Sequence, residues 1–577
     1  MAAFPGKGRG MNGYYYRPVT LPQRKSMEKR TGELSPMSTW GLSKEKITRN
    51  ASPLILASSL LGFAIWSLLL GQDANWDLKN YHFYNAYALF SGRMDYDIAP
   101  GQQQTYLNPA LDLLPFLLIQ HVPPRVFGIV MGAWHGLNLW LLFLIGRELL
   151  SRISFPKPAL WAAICALVGV RGATAASEVG TTFHDLTLSV FILGAVYLYL
   201  RAWPNFKPGI TSISLQTLAW SGFLLGLATG LKLTFALYAI GMGMAILVVQ
   251  IGMLKRFHGI VPFGLAALAG LLLTAGPWMW FLWKHYGNPL FPFYNAFFQS
   301  PFFPFINTAD ERFLPKSVWE AISFPFRFTL REHAGNEVPF RDFRILILSI
   351  STLLASGYIL ISSLVRRSSS HKESSKPDLS IIWLLVFLWV TYIVLLKLFG
   401  VYRYLICVEL LSPIALVALL GSLTKNRIAQ AILLTCMLFL IFNTKAMSWN
   451  RSPWSTEFFG VRPPPFQLNE KAVVLISSDN PLAYVIPFFP PSVRFVRVEG
   501  NFLNPNLNTA LTDRIRTVIA EAADNLYLLT YSSEVNEGVA VVNQYFKHPL
   551  ATVGTCEQVI SRIDSAIVLC RLPLSGK

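Results

Sequence analysis

The chain has 577 residues, 53% hydrophobic and only 14% charged, with a mean hydropathy of +0.43, a balance that excludes an ordinary soluble enzyme and indicates a polytopic membrane protein. Its net charge of +18 comes without a basic stripe interleaved with stacking aromatics, which argues against a nucleic-acid partner. The excess is expected in loops that face anionic lipid headgroups.

Residues 1–50 hold ten Lys and Arg against three Glu and have little apolar periodicity, so they read as a basic cytoplasmic tail without order. They lack the layout of a cleavable signal peptide, and the first span is expected to remain as an anchor. From there to residue 445 apolar stretches recur. A helix needs about 20 residues to cross ~30 Å of hydrocarbon. Eleven spans are expected, near residues 52–71, 125–147, 159–173, 184–200, 216–231, 233–251, 260–283, 343–364, 380–397, 402–422 and 428–444.

Charge then orients them. Basic residues fall in alternate loops (Arg147 and Arg152, Arg201 and Lys207, Lys255 and Arg256, Arg366 to Lys376, Lys425 and Arg427), and acids such as Asp73, Asp77, Asp112, Glu178, Asp185 and Asp342 fall in the others. By the positive-inside rule the acidic loops face outward.

The first outer loop runs Gln72-Asp73-Ala74-Asn75-Trp76-Asp77-Leu78-Lys79-Asn80-Tyr81-His82. Carboxylates this close to hydrocarbon are costly to desolvate and are functional candidates by default. Asp77 has a plainer alternative as N-cap of a helix starting at Leu78. Tyr81, Phe83, Tyr84, Tyr87 and Phe90 read first as an interfacial aromatic belt. The loop at 285–341 is rich in Phe and Pro and is expected either to form a lid on the membrane, keeping water from a reactive intermediate, or to pack on the C-terminal domain.

After Trp449 charge rises, and short apolar runs at 472–476, 526–529 and 566–569 flank a helix-like stretch at 509–523. Residues 446–577 are therefore expected to form a small soluble α/β domain, outside the membrane by the odd span count. Its Cys556 and Cys570 lie in neighbouring expected strands and are either a disulfide or two buried thiols, whereas Cys165, Cys407 and Cys436 fall in spans.

Several stretches recur in an order that resembles the GT-C superfamily of integral-membrane glycosyltransferases, which includes aminoarabinose transferases of lipid A and protein mannosyltransferases. They are Asp77 with Tyr81 and a surface helix from Asn80 to Phe90 closed by Ser91-Gly92, the acidic loop from Glu178 to Asp185, the Gly-rich span from Gly226 to Lys232, Gly287-Asn288-Pro289-Leu290-Phe291-Pro292-Phe293, and Tyr402-Arg403-Tyr404-Leu405. The resemblance covers residues 50–445, and its evidence is the order of the motifs. It implies a GT-C-like fold, an all-α membrane bundle of about 11 helices followed by the α/β domain. It further implies an inverting transferase that takes sugar from a polyprenyl-phosphate donor to an extracytoplasmic lipid, glycan or protein acceptor.

In that chemistry a base takes the acceptor's proton and cations neutralise the departing phosphate. Asp77 or Asp73 is the expected base, and Lys232 with Arg403 the expected phosphate holders, although either cation has an alternative as a headgroup anchor. His184, Asp185, Glu178, Tyr81 and His82 are candidate metal or substrate contacts. A divalent cation (Mg or Mn) is a candidate cofactor, with Asp73, Asp77, Glu178 and Asp185 as oxygen ligands. The loop patterns are read as those of a bacterial inner-membrane protein with a cytoplasmic N-terminus. The competing class is a flippase or transporter of a lipid-linked saccharide, whose inverted repeats and mid-membrane interrupted helices are not found in the sequence.

Overall fold

A computed structural model describes residues 40–202, 215–251, 259–308, 310–330, 335–366, 378–465, 472–522, 525–546 and 551–573. The basic tail through residue 39 and most of the loops at 203–214, 252–258 and 367–377 lie outside the described residues. Helix α1 (Trp40–Leu70) contributes an apolar stretch at Ser52–Leu70. Strand β1 (Gln72–Asp73), a π-helical turn at Leu78–His82, α2 (Phe83–Phe90) and α3 (Leu113–His121) lie in the loop between α1 and the next span. Then follow α4 (Pro124–Arg152), α5 (Pro158–Val170), the single turn α6 (Ala173–Ser177), α7 (Asp185–Ala202), α8 (Leu215–Leu231), α9 (Ala236–Ile251) and α10 (Ile260–Tyr286). The later helices are α11 (Asn295–Phe298), α12 (Val318–Leu330), α13 (Arg344–Arg366), α14 (Leu379–Leu398), α15 (Ile406–Leu423) and α16 (Arg427–Asn443).

All eleven expected spans are helical. Among the described residues six helices are long and apolar enough to cross a membrane, and four more apolar helices are shorter, α5 being the shortest at 13 residues. The protein is a multi-pass, mostly helical membrane bundle. Close helix approach explains part of its geometry. Gly222, Gly226 and Gly230 repeat every four residues on α8, and a Cβ at any of them would collide with α10 at Phe263, Ala267 or Thr274. Such a small-residue seam lets two helices pack backbone to backbone where lipid offers no hydrophobic drive. It also sets the position of Lys232, directly after α8.

Two buried anchors hold the short α6. The Glu409 carboxylate on α15 accepts from the backbone N–H groups of Thr174 at 3.0 Å and Ala175 at 2.9 Å, and Asp342 accepts from that of Ala173 at 3.1 Å. These are orphan donors of a helix start, satisfied from a neighbouring helix.

The C-terminal segment folds as the expected α/β unit. Strands β3 (Val473–Ile476), β4 (Arg494–Arg497) and β5 (Leu526–Tyr531) run parallel, with α17 (Ala510–Glu521) crossing from β4 to β5. After α18 (Val535–Asn543), β6 (Cys556–Gln558) and β7 (Ile567–Arg571) add antiparallel to give the order β4-β3-β5-β7-β6. Cys556 and Cys570 are register partners and form a disulfide. β4, with Arg at both ends, shows no apolar run in sequence and is the strand that the hydrophobic pattern omits.

The unit does not stand apart from the loop after α1. Residues Gln72 and Asp73 pair antiparallel with Ser452 and Arg451 of β2 (Arg451–Ser452). Phe83 and Tyr84 lie in the same apolar core as β3, β4 and β5. Phe83 packs against Phe116, Phe459 and Phe488, so the expected aromatic belt is corrected at its centre: Phe83 and Tyr84 are buried under the C-terminal domain, while Phe90 at the helix end is exposed.

Candidate active site

Five segments distant in sequence converge at the ends of the spans: the loop after α1, the turn before α3, the stretch between α6 and α7, the chain entering α9 and the chain entering α15. Asp73 comes first and is spoken for. Its Oδ1 accepts from the Asn75 backbone at 3.1 Å and side chain at 2.8 Å, and its Oδ2 accepts from the Thr182 N–H at 2.8 Å and hydroxyl at 2.9 Å. Burial raises its carboxyl above the usual range, against the opposing charge of Arg451. The residue ties the loop after α1 to the stretch between α6 and α7.

Asp77 is differently placed. Its backbone is helical and its side chain makes no cap hydrogen bond, because Asn75 Oδ1 takes the Leu78 N–H at 2.8 Å instead. The carboxylate turns toward Arg403, whose Nη1 donates to Oδ2 at 3.3 Å. Arg403 reaches Asp185 through Nε at 3.6 Å, and its guanidinium lies over the rings of Phe183 at 4.7 Å and Trp449 at 5.5 Å. Lys232 closes the group, donating to Asp185 Oδ1 at 2.6 Å and to the Phe183 carbonyl at 3.1 Å. Asp77, Asp185, Lys232 and Arg403 thus form one ion network, with Asp185 aligning both cations.

Beside it lies a second cluster. Asp112 Oδ1 is hydrogen-bonded to His184 Nε2 at 2.8 Å and lies 2.6 Å from His82 Nδ1, and the two imidazoles meet edge to face with centroids 4.7 Å apart. His184 adopts a left-handed backbone with φ +69°, a conformation that costs a non-glycine residue and turns its ring inward. Burial holds His82 down at about 3 and His184 at about 4, and pushes the Asp112 carboxyl up to about 6, so the imidazoles are neutral at pH 7 and able to act as ligands. Ligand atoms of His82, Asp112 and His184 all lie within 4.8 Å of one another. Both ring nitrogens of His82 and the Nδ1 of His184 are buried without a hydrogen-bond partner.

This arrangement differs from the expected ligand set. The four carboxylates Asp73, Asp77, Glu178 and Asp185 are not gathered around one point; Asp73 is occupied by hydrogen bonds and Asp185 by cations. Glu178 is fully buried, accepts from the Leu186 N–H at 2.8 Å, and keeps Oε1 unpartnered; burial and then Asp185 hold its carboxyl well above the usual range. Tyr81 is buried, its ring 4.0 Å from that of His82. Asp112 is the residue that sequence reasoning passed over. Following Asn108-Pro109-Ala110-Leu111, it looks like an ordinary N-cap of α3, yet in the fold it makes no cap bond and turns to the histidines. Its lack of a cap role has no signature in one sequence.

No family model matches the chain, and no curated protein matches its sequence. Among solved structures it is similar to ArnT from Cupriavidus metallidurans bound to undecaprenyl phosphate, at 14% identity and a TM-score of 0.39 over 67% of this chain and 62% of that one. It is likewise similar to the apo state of the same protein, at 13% identity and a TM-score of 0.38 over 92% of this chain and 98% of that one. A third similarity is to the Archaeoglobus fulgidus oligosaccharyltransferase in complex with Zn and sulfate, at 12% identity and a TM-score of 0.44 over 88% of this chain and 73% of that one.

Proposed function

We propose that the protein is a membrane glycosyltransferase that moves a sugar from a polyprenyl-phosphate donor to an acceptor hydroxyl at the outer face of a bacterial inner membrane. The observation that carries this reading is the placement of one carboxylate, Asp77, free of local hydrogen bonds and facing a prealigned pair of cations, Arg403 and Lys232. A single displacement needs those parts. Asp77 accepts the proton of the acceptor hydroxyl as its oxygen bonds to the anomeric carbon. The bond from that carbon to the phosphate oxygen breaks, and its electron pair leaves with the polyprenyl phosphate. Arg403, with its planar fork, and Lys232 hold the departing anion. Asp185 keeps both cations oriented before the phosphate arrives, and the rings of Phe183 and Trp449 exclude water from the Arg403 guanidinium, which strengthens its pull on charge.

His82, Asp112 and His184 are the residues that would hold a divalent cation. Two imidazoles and one carboxylate are a donor set suited to Zn or Mn more than to Mg, and the unpartnered ring nitrogens fit that use. Bound there, a cation would supply positive charge beside the carboxylates of Asp77, Asp112 and Asp185, which among the described residues face the cations Lys232 and Arg403 alone. The Cys556–Cys570 disulfide fits an oxidising compartment and so an extracytoplasmic C-terminal domain.

The test is turnover. The purified chain in detergent, given a panel of polyprenyl-phosphate sugars and membrane extracts as acceptor, is expected to release polyprenyl phosphate and label an acceptor. Movement of lipid-linked saccharide across sealed vesicles without any transfer would assign the protein to the flippase class instead.

A further inference from the structure

A cavity of about 680 Å³ is lined in part by Trp449, the ring over which the Arg403 guanidinium lies. Its walls come from the last turn of α1, the first outer loop, α6, the segment around β2 and the edge of the C-terminal domain. Trp66 and Trp449 present half-buried indoles, and Lys79, Arg171 and Arg451 bring three positive charges against the single carboxylate of Asp564.

The charges are not equally committed. Lys79 pairs with Asp564 at 2.9 Å. Arg451 donates to the carbonyls of Gly71, Ser177 and Val179 and answers Asp73 across the β1–β2 pair. Arg171 forms no ion pair among the described residues; it is exposed, and its guanidinium stands 5.9 Å over the Trp66 ring. An unpaired guanidinium stacked beside an indole, with a second indole on the same cavity, is a combination that takes a flat apolar sugar face and an acidic substituent together. Position adds to chemistry. Trp449 touches the cavity and lies against Arg403, and Ala74 and Lys79, from the same loop as Asp77, line it, so the cavity and the ion network share a wall.

We infer that this cavity is the acceptor site, and that the acceptor is an acidic saccharide, carrying a phosphate or carboxylate that Arg171 binds while its rings stack on Trp66 and Trp449. This rests on the transferase reading, since it names the second substrate of the same centre. The donor phosphate belongs to Lys232 and Arg403; the cavity takes a different anion.

Binding can be read without turnover, so this inference and the transferase reading fail separately. The full chain in nanodiscs of zwitterionic lipid would be titrated with dodecyl glucoside 6-phosphate, unphosphorylated dodecyl glucoside and dodecyl phosphate. The phosphorylated glucoside is expected to bind more tightly than either of the others by about ten-fold or more, the range of a charge-assisted hydrogen bond. Arg171→Gln should remove its advantage over the neutral glucoside, Arg171→Lys should keep part of it, and Trp66→Leu should shrink its advantage over dodecyl phosphate, all at unchanged melting temperature. Equal binding of dodecyl phosphate and the glucoside phosphate would reduce the cavity to a headgroup site and overturn the inference. So would an undiminished preference in Arg171→Gln.

Discussion

Arg403 Nη1 meets Asp77 Oδ2 at 3.3 Å across 326 residues of chain, and this contact places a carboxylate and a guanidinium from opposite ends of the membrane bundle at one point. Because Asp77 makes no cap bond, and Asn keeps a side-chain oxygen that can accept from Arg403, the exchange leaves this turn intact. Asp77→Asn is therefore expected to keep the melting temperature of the parent while transfer falls by roughly 10²–10⁴-fold. Transfer near the parent rate in that variant would remove Asp77 from the role of base.

Asp73 is expected to behave in the opposite way. Asn at this position would turn an amide N–H₂ toward donors that now point at a carboxylate, the Thr182 N–H among them. Asp73→Asn should lower stability by about 1–3 kcal/mol, the cost of buried groups left unpaired. Any loss of transfer should follow the loss of folded protein and be smaller than that of Asp77→Asn. Denaturation monitored alongside activity separates the two; a large transfer defect at parental stability would make Asp73 the base.

At Arg403 the shape of the side chain matters as well as its charge. Arg403→Ala should weaken donor use far more than Arg403→Lys, because Lys retains the charge and loses only the fork and the stacking on Phe183 and Trp449. Donor KM measured for both variants checks this. If both turn over like the parent, Arg403 anchors headgroups and does not hold the donor phosphate.

The cation site predicts a metal content. Protein purified without chelator should carry about one divalent ion per chain, read by mass spectrometry, and His184→Ala or Asp112→Ala should lose it. Retention of the ion by both variants would place it elsewhere.

Topology is open to a direct check. Reporter fusions after Lys376 and after Trp449 are expected to report cytoplasm and exterior respectively, following the basic and acidic loops. The same side for both would break the count of spans between them and with it the assignment of the active face.

Local pattern was enough for much of the architecture. Apolar runs mark each helical span, since hydrocarbon tolerates little else, whereas the helix that the glycines of α8 pack against is visible only in the fold. Loop carboxylates such as Asp73 and Asp77 stand out because charge near a membrane is rare. What the sequence leaves level is the choice between them. Asp73 is consumed by Asn75 and Thr182, Asp77 is left to Arg403, and Asp112 gains His184 from 72 residues away. Burial under the C-terminal domain, likewise, turned Phe83 from a lipid-facing ring into part of a shared core. Periodicity reports only neighbours along the chain, whereas a side chain's protonation, partners and solvent access depend on groups brought to it by packing, and that only the tertiary structure decided.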